Sequence, residues 1–513
     1  MKTLKQIIWL PAVCGVLLLQ SCGDDSKDGT PPDDLPAVPL SSAEIKKYTL
    51  QIEQGGQPVS VTGIFSSDSS VITLTPASNH RISNIAGAVA SFDADGRVRV
   101  NQADQVSGKT ANDFRQDLHY TVTGENGEVK TYQVVLKSPQ STGLPVISIK
   151  TEHGAPITDK ENYIPGILEL EDPAHPSHNL QGRSLGIRGR GNTTWGNPKK
   201  PYRIKFDQKT SLFGLGAAKS WVLLANYQDP TFITNTVAFE IAHRLGLEYT
   251  NHANHVELFL NDVYCGNYLL TEQVEVNEYR VNIDEKHDFL VELDRHYDED
   301  YKFKTPYLEL PVNVKSPEFE NESEMDFVIK SIVDLENALF RLTPDHLYSE
   351  LIDVPALIDY MLLNEIVHNS EPFWPKSVFA HKRQDGKLKM GPVWDFDWGF
   401  GYARYGYTYF QQVEDLIYKK RPYDIDPPGV ALFIEFFNDG AFVEAYRARW
   451  NEKKGKLSDI DQFVESMGAY LERSAVENEE EWPVGLDYSE QIAGMKRWLM
   501  ERIDFLDREI NKF

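Results

Sequence analysis

Short runs in which apolar and polar residues alternate fill the early part of the chain: Tyr48 to Ile52, Val59 to Val61, Val71 to Leu74, Arg97 to Val100, Tyr120 to Thr123 and Thr131 to Leu136. Clusters of Gly, Asn, Asp and Ser divide them, and a period of two with frequent turn residues predicts strands that bury one face. Residues 41–138 are therefore expected to form a small β-sandwich. The clearest hairpin is YTVTGENGEVKTYQVVL, in which Asn126-Gly127 offers the two positive-φ positions of a tight turn. Residues 139–145, within SPQSTGLP, read as a linker into a second unit.

From Val146 the pattern mixes periods. Asp229-Pro230 is expected to open a helix, with Val237, Ile241 and Leu245 on one face and Gly246 as its stop. Ser323 and Asp326 have capping-box spacing ahead of Ile329, Ile332, Val333 and Leu339, and Asp353 with Pro355 opens a third helix. Two longer periodic stretches run from Ile460 to Val476 and from Tyr488 to Lys512. Strands first and helices later predict an α+β body over residues 146–513, with a cleft between its two halves.

The first residues change the picture of location. Lys2 and Lys5 precede an apolar run from Ile7 to Leu19, too short to span a bilayer with ease, and residues 1–21 read as a signal peptide. Leu19-Gln20-Ser21-Cys22 looks like a lipobox, which makes Cys22 the expected lipidated residue and places the protein on the outer membrane or cell surface. Residues 22–40, rich in Pro, Asp and Gly, read as an extended tether. The net charge of −25 excludes nucleic acid and anionic lipid surfaces as partners, so contact with the membrane is expected only through the lipid. Of the three cysteines, Cys14 leaves with the leader and Cys22 carries lipid, so Cys265 has no partner for an internal disulfide.

Three segments carry candidate chemistry. In GIRGRGNTTWGNPKKPYRIKF, strand parity puts Lys200 on the side of Tyr202, Ile204 and Phe206, at the edge of a cleft where a lysine meets phosphate or merely snorkels. Arg188 and Asn192, in the Gly-rich part, are weaker phosphate candidates or plain turn residues. Glu272, at the end of a second β-rich run, is the candidate carboxylate to hold that lysine, with Glu275 as the other choice. In GPVWDFDWGFG, an extended backbone from Val393 to Asp397 puts Asp395 and Asp397 on one face about 6.6 Å apart, suited to sharing Mg²⁺. Ser107-Gly108-Lys109-Thr110 looks like the end of a phosphate-binding loop, but Ala103 stands where that loop needs its first glycine.

The runs RGRGNTTWGNPKKPYRIKF, VELFLNDVYCGNYLLTEQVEV, FLVELD, VKSPE and GPVWDFDWGFG, in that order, resemble the blocks of the CotH family of spore-coat-type atypical protein kinases. The N-terminal unit is similar to the immunoglobulin-like spacers of surface lipoproteins of the Bacteroides type. The resemblance implies a two-lobed, kinase-like fold that binds ATP with Mg²⁺ or Mn²⁺ and phosphorylates a protein. It also implies that Lys200 contacts phosphate, that Glu272 supports it, and that Asp395 or Asp397 holds the metal. Where the family tends to keep Asn-x-Asp as acid-base or metal residue, this chain reads Asn369-Ser370-Glu371, which moves the carboxylate by about an ångström. Thr234-Asn235 likewise stands where an Arg-Asn pair is usual.

Three functions compete on these grounds. Phosphoryl transfer uses Glu371 to receive the acceptor proton, and a kinase-like surface module without turnover binds a glycan, peptide or envelope partner. A glycosidase would use Glu371 and Asp395 across a cleft.

Overall fold

The computed structural model describes residues 42–341, 347–403, 408–418 and 427–513. The expected signal peptide, the expected lipidation residue Cys22 and the expected tether lie outside the described residues. Two sheets come first. One has the order Gln57–Thr62, Glu44–Gln54, Ala88–Asp95, Ala111–Asn112; the other runs Ile64–Phe65, Val71–Leu74, Val129–Leu136, Leu118–Thr123, Arg97–Val100, Ala103–Asp104. They enclose one core in which Tyr48, Leu50, Ile72, Tyr120, Val122 and Tyr132 are buried. All six expected runs lie in these strands. The strand Ala88–Asp95 was hidden from the pattern because alanines occupy its inward positions Ala88 and Ala90, yet it pairs with Glu44–Gln54 along most of its length.

The hairpin turn differs in detail from the expected two-residue loop. Only Gly127 has a positive φ, at 82°, because Asn126 instead uses its side chain to accept the Glu128 N–H at 2.9 Å. Residues 139–145 form a packed joint. Gln140 exchanges two hydrogen bonds with the Ile82 backbone, and Thr142 donates to Glu257 at 2.8 Å, so the joint is tied to the units on both sides.

The next unit is a closed barrel of seven strands: Val146–Thr151, Ile164–Glu171, Leu180–Gly189, Tyr202–Thr210, Ala218–Leu224, Val263–Glu272 and Asn254–Leu260. Alternate residues fill it, including Ile147 and Ile149, Leu168 and Leu170, Ile204 and Phe206, Trp221 and Leu223, and Tyr268 and Leu270. A five-stranded sheet comes next, in the order Lys302–Lys304, Pro311–Ser316, Phe289–Leu293, Val378–Lys382, Lys389–Met390. One large core joins it to the helices Thr234–Leu245, Asp326–Leu339, Val354–Ile366, Gly440–Lys453, Ile460–Glu481 and Tyr488–Ile510. The body is a mixed α+β assembly, and no helix among the described residues is long and apolar enough to cross a membrane.

Helix starts show where local signals mislead. Asp229 does not begin its helix, which starts at Thr234. Its carboxylate instead accepts from the N–H and hydroxyl of both Thr231 and Thr234, closing a loop ahead of the first turn. Ser323 lies in a 3-10 turn, Glu322–Met325, ahead of helix Asp326–Leu339, and gives no capping bond there. Asp353 does cap its helix, accepting the Ala356 N–H at 3.1 Å, and Gly246 ends the first helix at φ 84°.

Candidate functional site

After strand Lys389–Met390 the chain leaves the sheet and runs without regular structure from Gly391 to Phe396. The expected extension of Val393 to Asp397 is therefore wrong, and Asp395 sits in the left-handed region at φ 63°. A side chain from another element sets this shape. Asn235, in the first turn of helix Thr234–Leu245 and only 1 % exposed, accepts the Phe396 N–H at 2.9 Å and donates to Asp397 Oδ1 at 2.8 Å. The Tyr409 hydroxyl donates to the Asp397 carbonyl at 2.9 Å, holding the far side. A left-handed non-glycine residue costs about 1–3 kcal/mol, and this one is over-determined by its neighbours.

Glu371 reaches the same place from a short 3-10 turn beyond helix Val354–Ile366. Asn369 shapes the approach, accepting the Glu371 N–H at 3.1 Å while donating to Asn364 Oδ1 at 3.1 Å. Glu371 is 6 % exposed; its Oε1 lies 3.8 Å from Lys376 Nζ, and its Oε2 is buried without a hydrogen-bond partner among the described residues. Lys376 rests over the Trp398 ring at 4.2 Å, and the Arg190 guanidinium lies over Trp394 at 5.5 Å. Asp294, at the end of strand Phe289–Leu293, adds a fourth acid that Glu371 and Asp395 both feel.

Burial raises the carboxyl groups of Glu371, Asp395 and Asp397 above their ordinary range. The charge of Asp395 adds to this at Glu371 and Asp397, while Arg190 and Lys376 oppose it at Asp395. Asp294, Glu371, Asp395 and Asp397 outnumber the two cations, so the cluster carries excess negative charge when ionised. The excess charge of this all-oxygen donor set suits a hard divalent cation, but no three of these carboxylates bring ligand oxygens within 4.8 Å of one another; Glu371 Oε2 has no hydrogen-bond partner among the described residues. A cavity of about 10 Å³, room for one water, opens beside Asn369, Lys376 and Trp394.

Other expected site residues lie elsewhere. Lys200 Nζ donates to the Trp195 carbonyl at 2.8 Å and sits over the Trp195 ring, so it braces the Gly-rich loop in which Arg190 stands. Strand parity misled because residues 194–200 precede the strand, which starts at Tyr202. Its neighbour Lys199 is the fully buried one, donating to Asn478 Oδ1 at 2.7 Å and lining a cavity of about 390 Å³ with Asp229, Phe232 and Trp482. Burial pulls Lys199 down to about 7.

Glu272 accepts the His252 N–H at 2.8 Å and pairs with its ring at 2.7 Å, so no Lys200–Glu272 pair forms. Burial pushes Glu272 up, but the His252 contacts outweigh it and hold the carboxyl low. Glu275 pairs with Arg280. Arg188 stacks over Tyr163 at 5.0 Å, and Asn192 accepts from Lys160 at 3.2 Å. Thr234 is buried, with its hydroxyl on Asp229 at 2.8 Å.

Arg190, Lys376, Asp294 and Asn235 were not singled out as site residues in the sequence, although Arg190 and Asp294 stand inside the quoted motifs and Lys376 lies just beyond Glu371. A protein-family model described as CotH kinase protein matches residues 187–506, which include every residue of the acidic cluster. No curated protein matches the chain. The match spans well over half of the sequence, so the chain belongs to the CotH family, whose membership points to a kinase-like protein with nucleotide and metal dependence.

Proposed function

We propose that the acidic cluster transfers a phosphoryl group from ATP to a protein hydroxyl at the cell surface, with Asp395 and Asp397 holding Mg²⁺ or Mn²⁺. The observation that carries this is the buried excess of acid around Glu371, with one carboxylate oxygen unpartnered among the described residues. Asp395 and Asp397 would hold the metal, which would supply charge neutralisation for the nucleotide phosphates. Arg190 and Lys376, each held over a tryptophan, balance phosphate charge beside the aspartates. Glu371 takes the proton from the acceptor hydroxyl as its oxygen attacks the γ-phosphorus and the bond to ADP breaks; burial raises its carboxyl pKa, which makes it a stronger base than an ordinary glutamate. Asn235 positions Asp397, and Lys200 acts through the shape of the Gly-rich loop. The folded body is then displayed from Cys22 by the tether of residues 22–40.

The test is incubation of the untagged protein with labelled ATP and each metal, beside Asp395→Asn. Wild-type protein is expected to show a metal-dependent thermal shift with ATP and to incorporate label, and Asp395→Asn to lose both. Absence of any shift with ATP plus Mg²⁺ or Mn²⁺ in the wild type sinks the assignment. One observation favours a second reading, a surface module that binds a glycan or peptide without turnover: Glu272 is engaged by His252, and among the described residues no lysine pairs with it. A partner retained equally by wild type and by Asp395→Ala, with no label incorporated by either, would establish that reading.

A further inference from the structure

We propose that Asp172, His175 and His178 form a second cation site, for a divalent transition-metal ion of the zinc type. The three residues occupy the turn Asp172-Pro173-Ala174-His175-Pro176-Ser177-His178 between barrel strands Ile164–Glu171 and Leu180–Gly189. They lie ahead of the family-matched residues and on different elements from the acidic cluster. Asp172 is 3 % exposed, and its two oxygens have separate tasks. Oδ1 accepts the N–H groups of Ala174 and His175 at 3.1 and 3.0 Å, fixing the turn. Oδ2 faces both imidazoles, 2.8 Å from His178 Nδ1 and 3.5 Å from His175 Nδ1. One ligand atom from each residue falls within 4.8 Å of the other two.

The loop is built before any ion arrives. The Asp172 N–H donates to Asn179 Oδ1 at 2.7 Å, closing the turn, and Pro173 and Pro176 restrict its backbone. The rings of Phe213 and His178 meet in a T-shaped contact at 5.9 Å between centroids. Metal–ligand bonds of about 2.0–2.2 Å in a tetrahedron place neighbouring donors about 3.3–3.6 Å apart; the His175 separation from Asp172 lies in that range, and the His178 separation is a hydrogen bond that must lengthen to admit an ion. Two imidazoles beside one carboxylate select a zinc-like ion over Mg²⁺ or Ca²⁺, which prefer oxygen alone. His175 is 66 % exposed at its side chain, so the fourth position opens to water. The competing role for these residues is a hydrogen-bonded brace of the turn, which needs His178 and not His175.

The experiment uses untagged protein stripped with a chelator and then titrated with Co²⁺, read by its visible ligand-field absorption, with Zn²⁺ displacement and calorimetry afterwards. Wild type is expected to show the band of a low-coordinate nitrogen–oxygen site and to bind Zn²⁺. His175→Ala, at an exposed ring whose loss spares the fold, should weaken binding by more than about 100-fold, beyond the roughly 10- to 100-fold lost when a group merely orients a ligand. Asp395→Asn with Asp397→Asn should leave the band intact, which separates this site from the acidic cluster. An absent band in wild type, or a band of equal strength and affinity in His175→Ala, overturns the proposal.

Discussion

Two buried glutamates stand six positions apart around the end of helix Val354–Ile366, and the protein treats them in opposite ways. Glu365 meets Arg502 at 2.9 Å, with both side chains almost free of solvent, and accepts the N–H groups of Ile417 and Tyr418 at 3.1 Å. Arg502 also donates to the carbonyls of Glu365, Val413 and Asp415, so its charge is fully answered. Glu371 has a cation at 3.8 Å, three aspartates that repel it and an oxygen with no hydrogen-bond partner among the described residues. A matched buried charge belongs to the framework. An unmatched one is a cost that the fold sustains, and such costs gather where a ligand completes the site.

The largest test of this contrast is on the matched side. Arg502→Met should strand Glu365 in the core and destabilise the protein by about 3–5 kcal/mol in chemical denaturation. A loss under about 1 kcal/mol would show that the pair is dispensable.

The unmatched side should appear as pH dependence. Folding raises the carboxyl pKa values of Glu371, Asp395 and Asp397, so the native state holds protons that the unfolded chain has released. Their unfavourable contribution is absent below the ordinary carboxylate range and grows as pH rises through the raised values. Metal-free protein should therefore lose on the order of 1–3 kcal/mol between about pH 5 and pH 8. Glu365, which burial pushes up to about 7 despite Arg502, contributes a slope of the same sign. Millimolar Mg²⁺ separates the two, since it should flatten only the part that Glu371→Gln and Asp395→Asn also remove. A slope indifferent to both would contradict a cation-completed cluster.

The smallest effect is expected at Lys200. Its amino group is engaged with Trp195, so Lys200→Ala should cost about 0.5–1 kcal/mol and change labelled-ATP transfer by no more than about threefold. A loss matching that of Asp395→Asn would restore Lys200 to direct phosphate contact.

Much of the architecture was written in residue order. Period-two runs located the strands of the first unit, and helical periodicity located Ile460–Glu481 and Tyr488–Ile510. The WDFDW segment and Asn369-Ser370-Glu371 marked acids that the structure brings together. Their backbone was misread because a strand pattern cannot reveal that Asn235, 161 positions from Phe396 in sequence, supplies the bonds that hold Asp395 left-handed. The surroundings of the cations were not legible for a related reason. Lys199, Lys200 and Arg190 are close in sequence, but loop geometry alone sorts them into a buried lysine, a loop brace and a neighbour of the aspartates.

The sequence by itself determined which segments alternate, which repeat helically and which residues carry acid, because these stem from local periodicity and side-chain chemistry. Tertiary structure decided which charges meet. Whether a carboxylate is answered depends on partners that only barrel closure and helix packing bring within bonding distance.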